Sequence, residues 1–157
     1  METTKILEKT HDYRDYTAQN LSKIIKVPAF STTEKERIQL LKKLCEEAGM
    51  EDLWIDGLGS LLGRVGKGSK KLVFDAHIDT VGVGDESQWK TPPFSGLIKD
   101  GLVYGRGASD QLGGAASMIT AAHILKELSY EGDYEIWFSF TTIEEDCDGM
   151  CWKYLIE

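Results

Sequence analysis

Three groups of histidine and acidic residues follow one another along the chain, each where an apolar segment gives way to a loop. They are His77-Ile78-Asp79, then Asp110 at the end of Gly105–Asp110, then Glu144-Glu145. Ligands of open α/β sheets bind beyond the carboxyl ends of the strands, so these groups are expected to meet at one sheet edge. Histidine and carboxylate side chains at one point are typical of hydrolytic zinc sites.

Each group also has a plainer interpretation when it is taken alone. A histidine at a strand end is more often structural. Asp110 precedes a glycine- and alanine-rich segment, so it is a good helix N-cap. Glu144-Glu145 begins an acidic stretch that fits a solvated loop. The metal interpretation therefore depends on all three groups occurring together at predicted strand ends or helix starts.

The chemistry of a metal centre suggests a role for each residue type. A carboxylate two positions after His77 can hold the ring nitrogen that does not bind metal, which is a role for Asp79. One carboxylate can bridge two cations, which suits Asp110. Two adjacent carboxylates repel each other unless a positive charge neutralises one. A natural division at Glu144-Glu145 is one metal ligand and one general base.

Composition sets the outer limits. The chain has 157 residues, of which 41% are hydrophobic and 28% charged, as expected for one globular domain. Its net charge of -8 argues against nucleic-acid and anionic-membrane partners. No apolar run approaches the ~20 residues of a membrane span, and Met1–Asp15 lacks the apolar core of a secretory signal. Three cysteines give no disulfide framework, so the expected compartment is the cytoplasm.

Hydrophobic periodicity and turn residues predict the elements that position these groups. The predicted helices are residues 4–26 before Pro28, a helix to Gly49 opened by a capping box at Ser31–Glu34, residues 111–128, and one from near Met150. The predicted strands are 53–55, 61–65, 71–76 and a central 134–142, with a loop at 81–94 and a hairpin at 97–104 turning at Asp100-Gly101. The alternation predicts a three-layer α/β/α domain with a mostly parallel mixed sheet.

Two further groups of residues have more than one interpretation. Cys147 and Cys151 are four positions apart and read as half-buried thiols near the site. A separate metal site there would need ligands that the sequence does not offer. Trp89, Pro93 and Phe94 suit either a substrate wall or a packed loop anchor.

Taken together, the chain resembles the dinuclear zinc amidohydrolases and peptidases that include aminoacylase, acetylornithine deacetylase, succinyl-diaminopimelate desuccinylase and glutamate carboxypeptidase. The matching segments are His77–Val81, Trp89–Gly96, Asp100–Asp110 and Glu144-Glu145. Residues 142–152 look most like the subgroup of selenium-metabolism-linked hydrolases. The resemblance implies a zinc-peptidase-like fold and hydrolysis of an amide bond in an N-acyl amino acid or a small peptide.

The resemblance also implies roles for individual residues. His77 would bind one zinc ion, Asp110 would bridge two, and Glu145 would bind the second. Glu144 would be the general base, and Asp79 would orient His77. Cobalt or manganese could replace zinc. The family's bridging aspartate precedes a cis peptide, so the bond after Asp110 is expected to be cis.

One departure concerns length. The family's later acidic ligand, late histidine and lid domain have no counterpart in residues 1–157. The chain is therefore expected to be the N-terminal part of a catalytic zinc-hydrolase domain, C-terminally truncated and lacking the lid. Each zinc would keep two protein ligands where catalytic zinc normally has three, so weak zinc binding and little activity are expected of the chain alone. A truncated sheet should expose an apolar edge, which predicts self-association or marginal stability. A non-catalytic relic or binding module, or one half of a split enzyme, is the alternative.

Overall fold

The structure is a computed structural model that describes residues 3–147 and 149–157. Its helices are α1 Thr3–Asp12, α2 Arg14–Ile25, α3 Lys35–Glu47, α4 Leu112–Glu127 and α5 Met150–Ile156, with a short 3-10 turn at Glu86–Gln88. Its strands are β1 Glu51–Ile55, β2 Leu61–Val65, β3 Lys70–His77, β4 Leu97–Lys99, β5 Leu102–Tyr104 and β6 Tyr134–Thr141. None of the described helices is both long and apolar enough to cross a membrane.

Four strands form a mixed sheet in the order β1-β2-β6-β3, with β6 inside the sheet as predicted. Only the β3–β6 pairing is parallel, whereas β1–β2 and β2–β6 are antiparallel. The prediction of a mixed sheet is confirmed, but "mostly parallel" is wrong for these strands. The reason for β1–β2 is the connection, because residues 56–60 form a tight turn that can only reverse the chain. The segment between β3 and β6 includes α4, which is long enough for a parallel crossover.

Helices lie on both faces of the sheet, which confirms the layered α/β architecture, although among the described helices the second face carries only the short α5. Helices α3 and α4 pack on one face, and α2 lies across α4. Alternate residues of β6 point into this layer, so Ile136, Phe138 and Phe140 are buried there. Helix α5 lies on the other face, where the indole N–H of Trp152 donates to Asp75 at 3.2 Å.

The core explains why α4 is rich in small residues. Ala115, Ala116, Ile119 and Ala122 are fully buried, so alanines let the helix backbone approach the sheet closely. Cys45 on α3 is also fully buried, as predicted. The alternation of buried side chains along β2 fits the period of two that a half-covered strand requires. Strand β6 alternates only at its start, and its last four residues are all buried.

Two local predictions fail for tertiary reasons. The predicted helix over residues 4–26 is two helices that meet at Tyr13, whose hydroxyl donates to Glu127 at 2.5 Å. The predicted capping box is also wrong, because α3 begins at Lys35 without a side-chain cap from Glu34. Ser31 and Glu34 instead bond residues far along the chain, as described below. The hairpin turn is confirmed, since Asp100 and Gly101 both have positive φ, at 52° and 77°.

Candidate metal centre

His77 is the last residue of β3 and is only 5% exposed. Its Nδ1 lies 3.1 Å from the carbonyl oxygen and 3.5 Å from a carboxylate oxygen of Asp79. Its Nε2 lies 2.9 Å from Asp110 Oδ1 and 3.7 Å from Glu144 Oε2. The His77 backbone N–H donates to the side chain of Gln111 at 3.2 Å. The ring is therefore fixed on one side and faces carboxylates on the other.

Asp110 reaches the site through a glycine-rich turn. Gly107 has φ +78°, and a Cβ added there would lie 2.5 Å from the Thr80 side chain, so only glycine fits. The bond between Asp110 and Gln111 is cis, as expected. The Asp110 carboxylate is 79% exposed, so the site is open to solvent on this side.

Glu144 and Glu145 follow β6 across a short turn that Asp79 holds. The Glu144 N–H donates to Asp79 Oδ1 at 3.2 Å, and the Glu145 N–H donates to Asp79 Oδ2 at 3.1 Å. Ser31 donates to the same Oδ2 at 2.7 Å. A fully buried carboxylate therefore joins the His77 turn to the glutamate turn.

The three predicted ligands converge. One ligand atom from each of His77, Asp110 and Glu145 can be chosen so that all lie within 4.8 Å of one another. An imidazole nitrogen and two carboxylates at this spacing, with an open side, fit a small divalent cation. Glu144 lies beside this group with its carboxylate 43% exposed, so it is free to meet a substrate or water.

The electrostatics of the site favour a positive charge at the His77 ring. Burial alone would lower the pKa of His77, but hydrogen bonds to Asp79 and Asp110 and the charge of Glu144 raise it to about 9. Burial would raise the pKa of Asp79, but bonds from His77, Ser31 and the Glu145 and Glu144 amides lower it to about 2. Asp79 is therefore ionised at neutral pH, and a cation at His77 Nε2 would take the place of a proton.

The structure places the other singled-out residues outside this group. Cys147 is exposed and Cys151 is buried, so the thiols differ rather than sharing a half-buried environment. The Trp89 indole N–H donates to Val83 at 2.9 Å, and its ring lies 5.0 Å from the Arg106 guanidinium carbon. These contacts anchor the loop before the hairpin.

Sequence reasoning missed the residues that support the ligands. Gln111, which holds the His77 amide, carried no signal besides its place next to Asp110. The pattern at Ser31 and Glu34 predicts a helix cap instead. Their true partners lie 48 and 109 positions away, a separation that no local pattern reveals.

The layered α/β fold and the order of the converging side chains have counterparts among known proteins. Residues 73–157 match the model of peptidase family M20/M25/M40. The chain belongs to this family. Over 152 residues, covering 97% of the chain, it is 42% identical to YgeY, an uncharacterized protein of Escherichia coli. Over 131 residues, covering 78% of the chain, it is 32% identical to a succinyl-diaminopimelate desuccinylase from Bradyrhizobium.

Two solved structures share the fold at low identity. The dipeptidase Dug1p of Saccharomyces cerevisiae matches 98% of the chain with a TM-score of 0.84 and 21% identity. The Bacillus subtilis protein YXEP, a dinuclear metal binding peptidase, matches 86% with a TM-score of 0.63 and 19% identity. The chain spans 38% and 34% of the lengths of the two curated relatives, and 37% of each of these two structures.

Proposed function

We propose that this chain forms part of the catalytic domain of a metal-dependent hydrolase that cleaves the amide bond of an N-acyl amino acid or a small peptide. The observation that carries the proposal is the convergence of His77, Asp110 and Glu145 beside Glu144. Membership of the peptidase family supports amide hydrolysis, and the names of the desuccinylase and the dipeptidase support small substrates. The dinuclear centre of the Bacillus relative supports two metal ions.

The ligands would share the two ions through Asp110. His77 would hold one ion and Glu145 the other, with zinc as the expected metal and cobalt or manganese as substitutes. When bound, such ions polarise a carbonyl group and lower the pKa of water. The protein's own contribution is to fix the donors, because Asp79 holds both the His77 ring and the amides of the glutamate turn.

Glu144 is proposed as the general base. Its carboxylate lies 3.7 Å from His77 Nε2 without belonging to the closest ligand set. It would accept a proton from the attacking water and return it to the departing amine, which keeps the proton count balanced over one turnover. Its partial exposure leaves room for a water molecule and a substrate carbonyl.

A second candidate is a metal-binding chain without turnover of its own. Among the described residues, one group of three ligand side chains meets, and two ions sharing Asp110 would each keep two protein ligands. We therefore expect zinc to bind the 157-residue chain weakly and amide turnover to be slight. A partner chain that completes the site is the corresponding form of a split enzyme.

The test measures zinc and turnover separately. Zinc affinity of the chain is measured by competition with a chromogenic chelator, and hydrolysis with N-acyl amino acids and dipeptides in zinc, cobalt or manganese. His77→Ala should weaken zinc binding, whereas Glu144→Gln should keep it. Zinc affinity unchanged in both His77→Ala and Asp110→Ala would overturn the site. Rapid turnover that Glu144→Ala abolishes would overturn the inactive candidate and establish the hydrolase.

A further inference from the structure

Two charged residues at the start of α3 are buried. Glu34 immediately precedes the helix and is 5% exposed, and Arg37, three positions later, is fully buried. Residues three apart lie on the same face of a helix, so both point inward. A buried charge is unfavourable unless it is paired or hydrogen-bonded. Their partners therefore show what the pair does.

Arg37 holds the turn that carries His77. Its Nη1 donates to the carbonyl of Ile78 at 2.5 Å, and Ile78 is the residue between His77 and Asp79. Its Nε donates to the carbonyl of Val27 at 2.8 Å, which ties the same turn to the loop after α2. The negative charge of Asp79 also acts on the guanidinium.

Glu34 holds the turn that carries the glutamates. Its Oε1 accepts the backbone N–H of Ile143 at 2.9 Å. Ile143 has φ +61°, a left-handed conformation that is a genuine outlier for a β-branched residue. The surroundings must impose such a conformation. It directs the next two amides, those of Glu144 and Glu145, at the Asp79 carboxylate.

A stabilising role alone does not account for this arrangement. Arg37 Nη2 is buried without a hydrogen-bond partner among the described residues. An unpaired buried donor lowers stability, so an arginine is a poor choice for a residue that only fills the core. Each side chain makes one bond to a backbone group beside a proposed site residue: Arg37 to the carbonyl of Ile78, next to His77, and Glu34 to the N–H of Ile143, next to Glu144. The first turn of α3 and the residue before it thus touch two segments that lie more than 60 residues apart in sequence.

We propose that Glu34 and Arg37 are positioning residues that set the separation between His77 and the glutamate pair, and that metal affinity depends on them. The proposal rests on the proposed function, since it concerns the same metal centre. It predicts that the pair acts on metal binding through the Ile78 carbonyl and the Ile143 amide, without touching the ion.

The experiment compares zinc affinity in folded variants of the 157-residue chain, with circular dichroism to confirm the folded fraction. Arg37→Met and Glu34→Met remove the contacts at similar volume and should weaken zinc binding by about tenfold or more, as residues that orient ligands do. Glu34→Gln keeps an oxygen acceptor for Ile143 and should restore affinity to within about threefold of the original chain. The cobalt absorption spectrum should change in the methionine variants and return in Glu34→Gln.

Arg64→Met is the matched control, because Arg64 is also a well-covered arginine but bonds Asp52 and the carbonyl of Gly66 away from the site. It should lower stability without changing zinc affinity or the cobalt spectrum. If Arg37→Met does not fold, Arg37→Lys keeps the charge but not the two-carbonyl geometry, and it should still weaken zinc binding.

Two results would overturn the proposal. One is unchanged zinc affinity in folded Glu34→Met and in either arginine variant. The other result needs no variant: hydrogen exchange at the Ile143 amide of the original chain would be as fast as at an exposed amide. His77→Ala separates this failure from failure of the site. If that variant loses zinc while the support variants keep it, only the positioning role is wrong. If His77→Ala also keeps zinc, the proposed metal centre itself is wrong.

Discussion

In β3 the polar end is buried and the apolar middle is exposed, which is the reverse of the usual pattern. At the end, Ala76 and His77 are buried, and so are the polar residues Asp79 and Thr80 that follow. In the middle, the apolar segment Leu72–Phe74 is 39–49% exposed. The polar end has partners from α3, from the loop before it and from the turn after β6. The middle lies at the edge of the sheet, beside an open apolar groove of about 440 Å³.

The two regions of β3 differ in whether their bonding partners lie within the described residues. The hydrogen bonds that orient the proposed ligands come from within the described residues, so the orientation of His77 and the glutamate turn is intrinsic to this chain. The apolar edge is different, because the outer side of β3 has no paired strand among the described residues. Unpaired apolar edges favour association with another chain. The following predictions test each side of the contrast.

The largest effect is expected at the polar end, from Asp79→Ala. The substitution leaves the amides of Glu144 and Glu145 and the hydroxyl of Ser31 without their shared acceptor. Loss of one partner of a buried charged network costs about 3–5 kcal/mol. Urea unfolding should show this loss, and zinc binding should fall with it. Asp85 is an exposed carboxylate that caps the Glu86–Gln88 turn by accepting the Ser87 N–H, and Asp85→Asn keeps an oxygen acceptor there, so it should change stability by less than about 0.5 kcal/mol. Equal effects of the two substitutions would contradict the contrast.

A second prediction concerns acid. The folded-state pKa of Asp79 is about 2, below its ordinary value of 3.8, so the ionised form is stabilised by folding. This contribution is present above about pH 4 and is lost as the pH falls through 4 toward 2, amounting to about 2 kcal/mol. The urea midpoint of the metal-free chain should therefore fall over this range. The difference between the original chain and Asp79→Asn should shrink as the pH approaches 2, and a constant difference would refute the assignment.

The apolar middle of β3 predicts an effect on association and little on stability. Val73→Lys places a charge on the edge strand, which discourages pairing between chains. Sedimentation should show a lower mean mass at high concentration, while the unfolding free energy changes by less than about 0.5 kcal/mol. Leu102→Lys is the control, because Leu102 is an exposed apolar residue on β5, outside the four-stranded sheet. If both variants behave like the original chain, the edge does not drive association.

The smallest expected effect is the pH dependence of stability that comes from Cys45 in the apolar core. Burial raises the pKa of the Cys45 thiol, so the folded state keeps its proton where the unfolded chain ionises. Stability therefore falls as the pH rises above the ordinary thiol value of 9.0, by less than about 1 kcal/mol at pH 9.5. Cys45→Ala should reduce this loss of stability at alkaline pH. The unfolding free energy of each protein is measured between pH 8 and 9.5 and compared with that of the same protein at neutral pH. An unchanged loss would assign the effect to other groups.

Sequence patterns predicted the elements well where the signal is local. The strand at 61–65 and the Asp100-Gly101 turn were found because apolar runs and turn residues mark them directly. The three ligand groups were found because each ends an apolar strand or begins a helix. Strand direction was less predictable, since β2 pairs with β6 across some 70 residues and no local pattern specifies that pairing.

The candidate site shows the same limit. His77, Asp110 and Glu145 carry ligand chemistry in their own side chains, so residue type alone made them candidates. Ser31 and Glu34 fit a capping box equally well in sequence, because a serine hydroxyl can accept from an amide or donate to a carboxylate, and a glutamate carboxylate accepts from any nearby amide. Only the approach of β6 and the His77 turn in three dimensions decides which partner they take.

The bonds of Asp79 also impose an order of events as the chain is made. The Asp79 carboxylate accepts amides that lie 65 and 66 positions later in the chain. The Glu34 bond to Ile143 spans 109 positions. Contacts this distant in sequence form late, since much chain entropy must be lost first. Until β6 and its turn have emerged from the ribosome, His77 lacks the glutamates, and the Asp79 carboxylate lacks the two amides that it accepts. If the proposed metal centre forms, its complete set of ligands is therefore assembled only after the two turns have met.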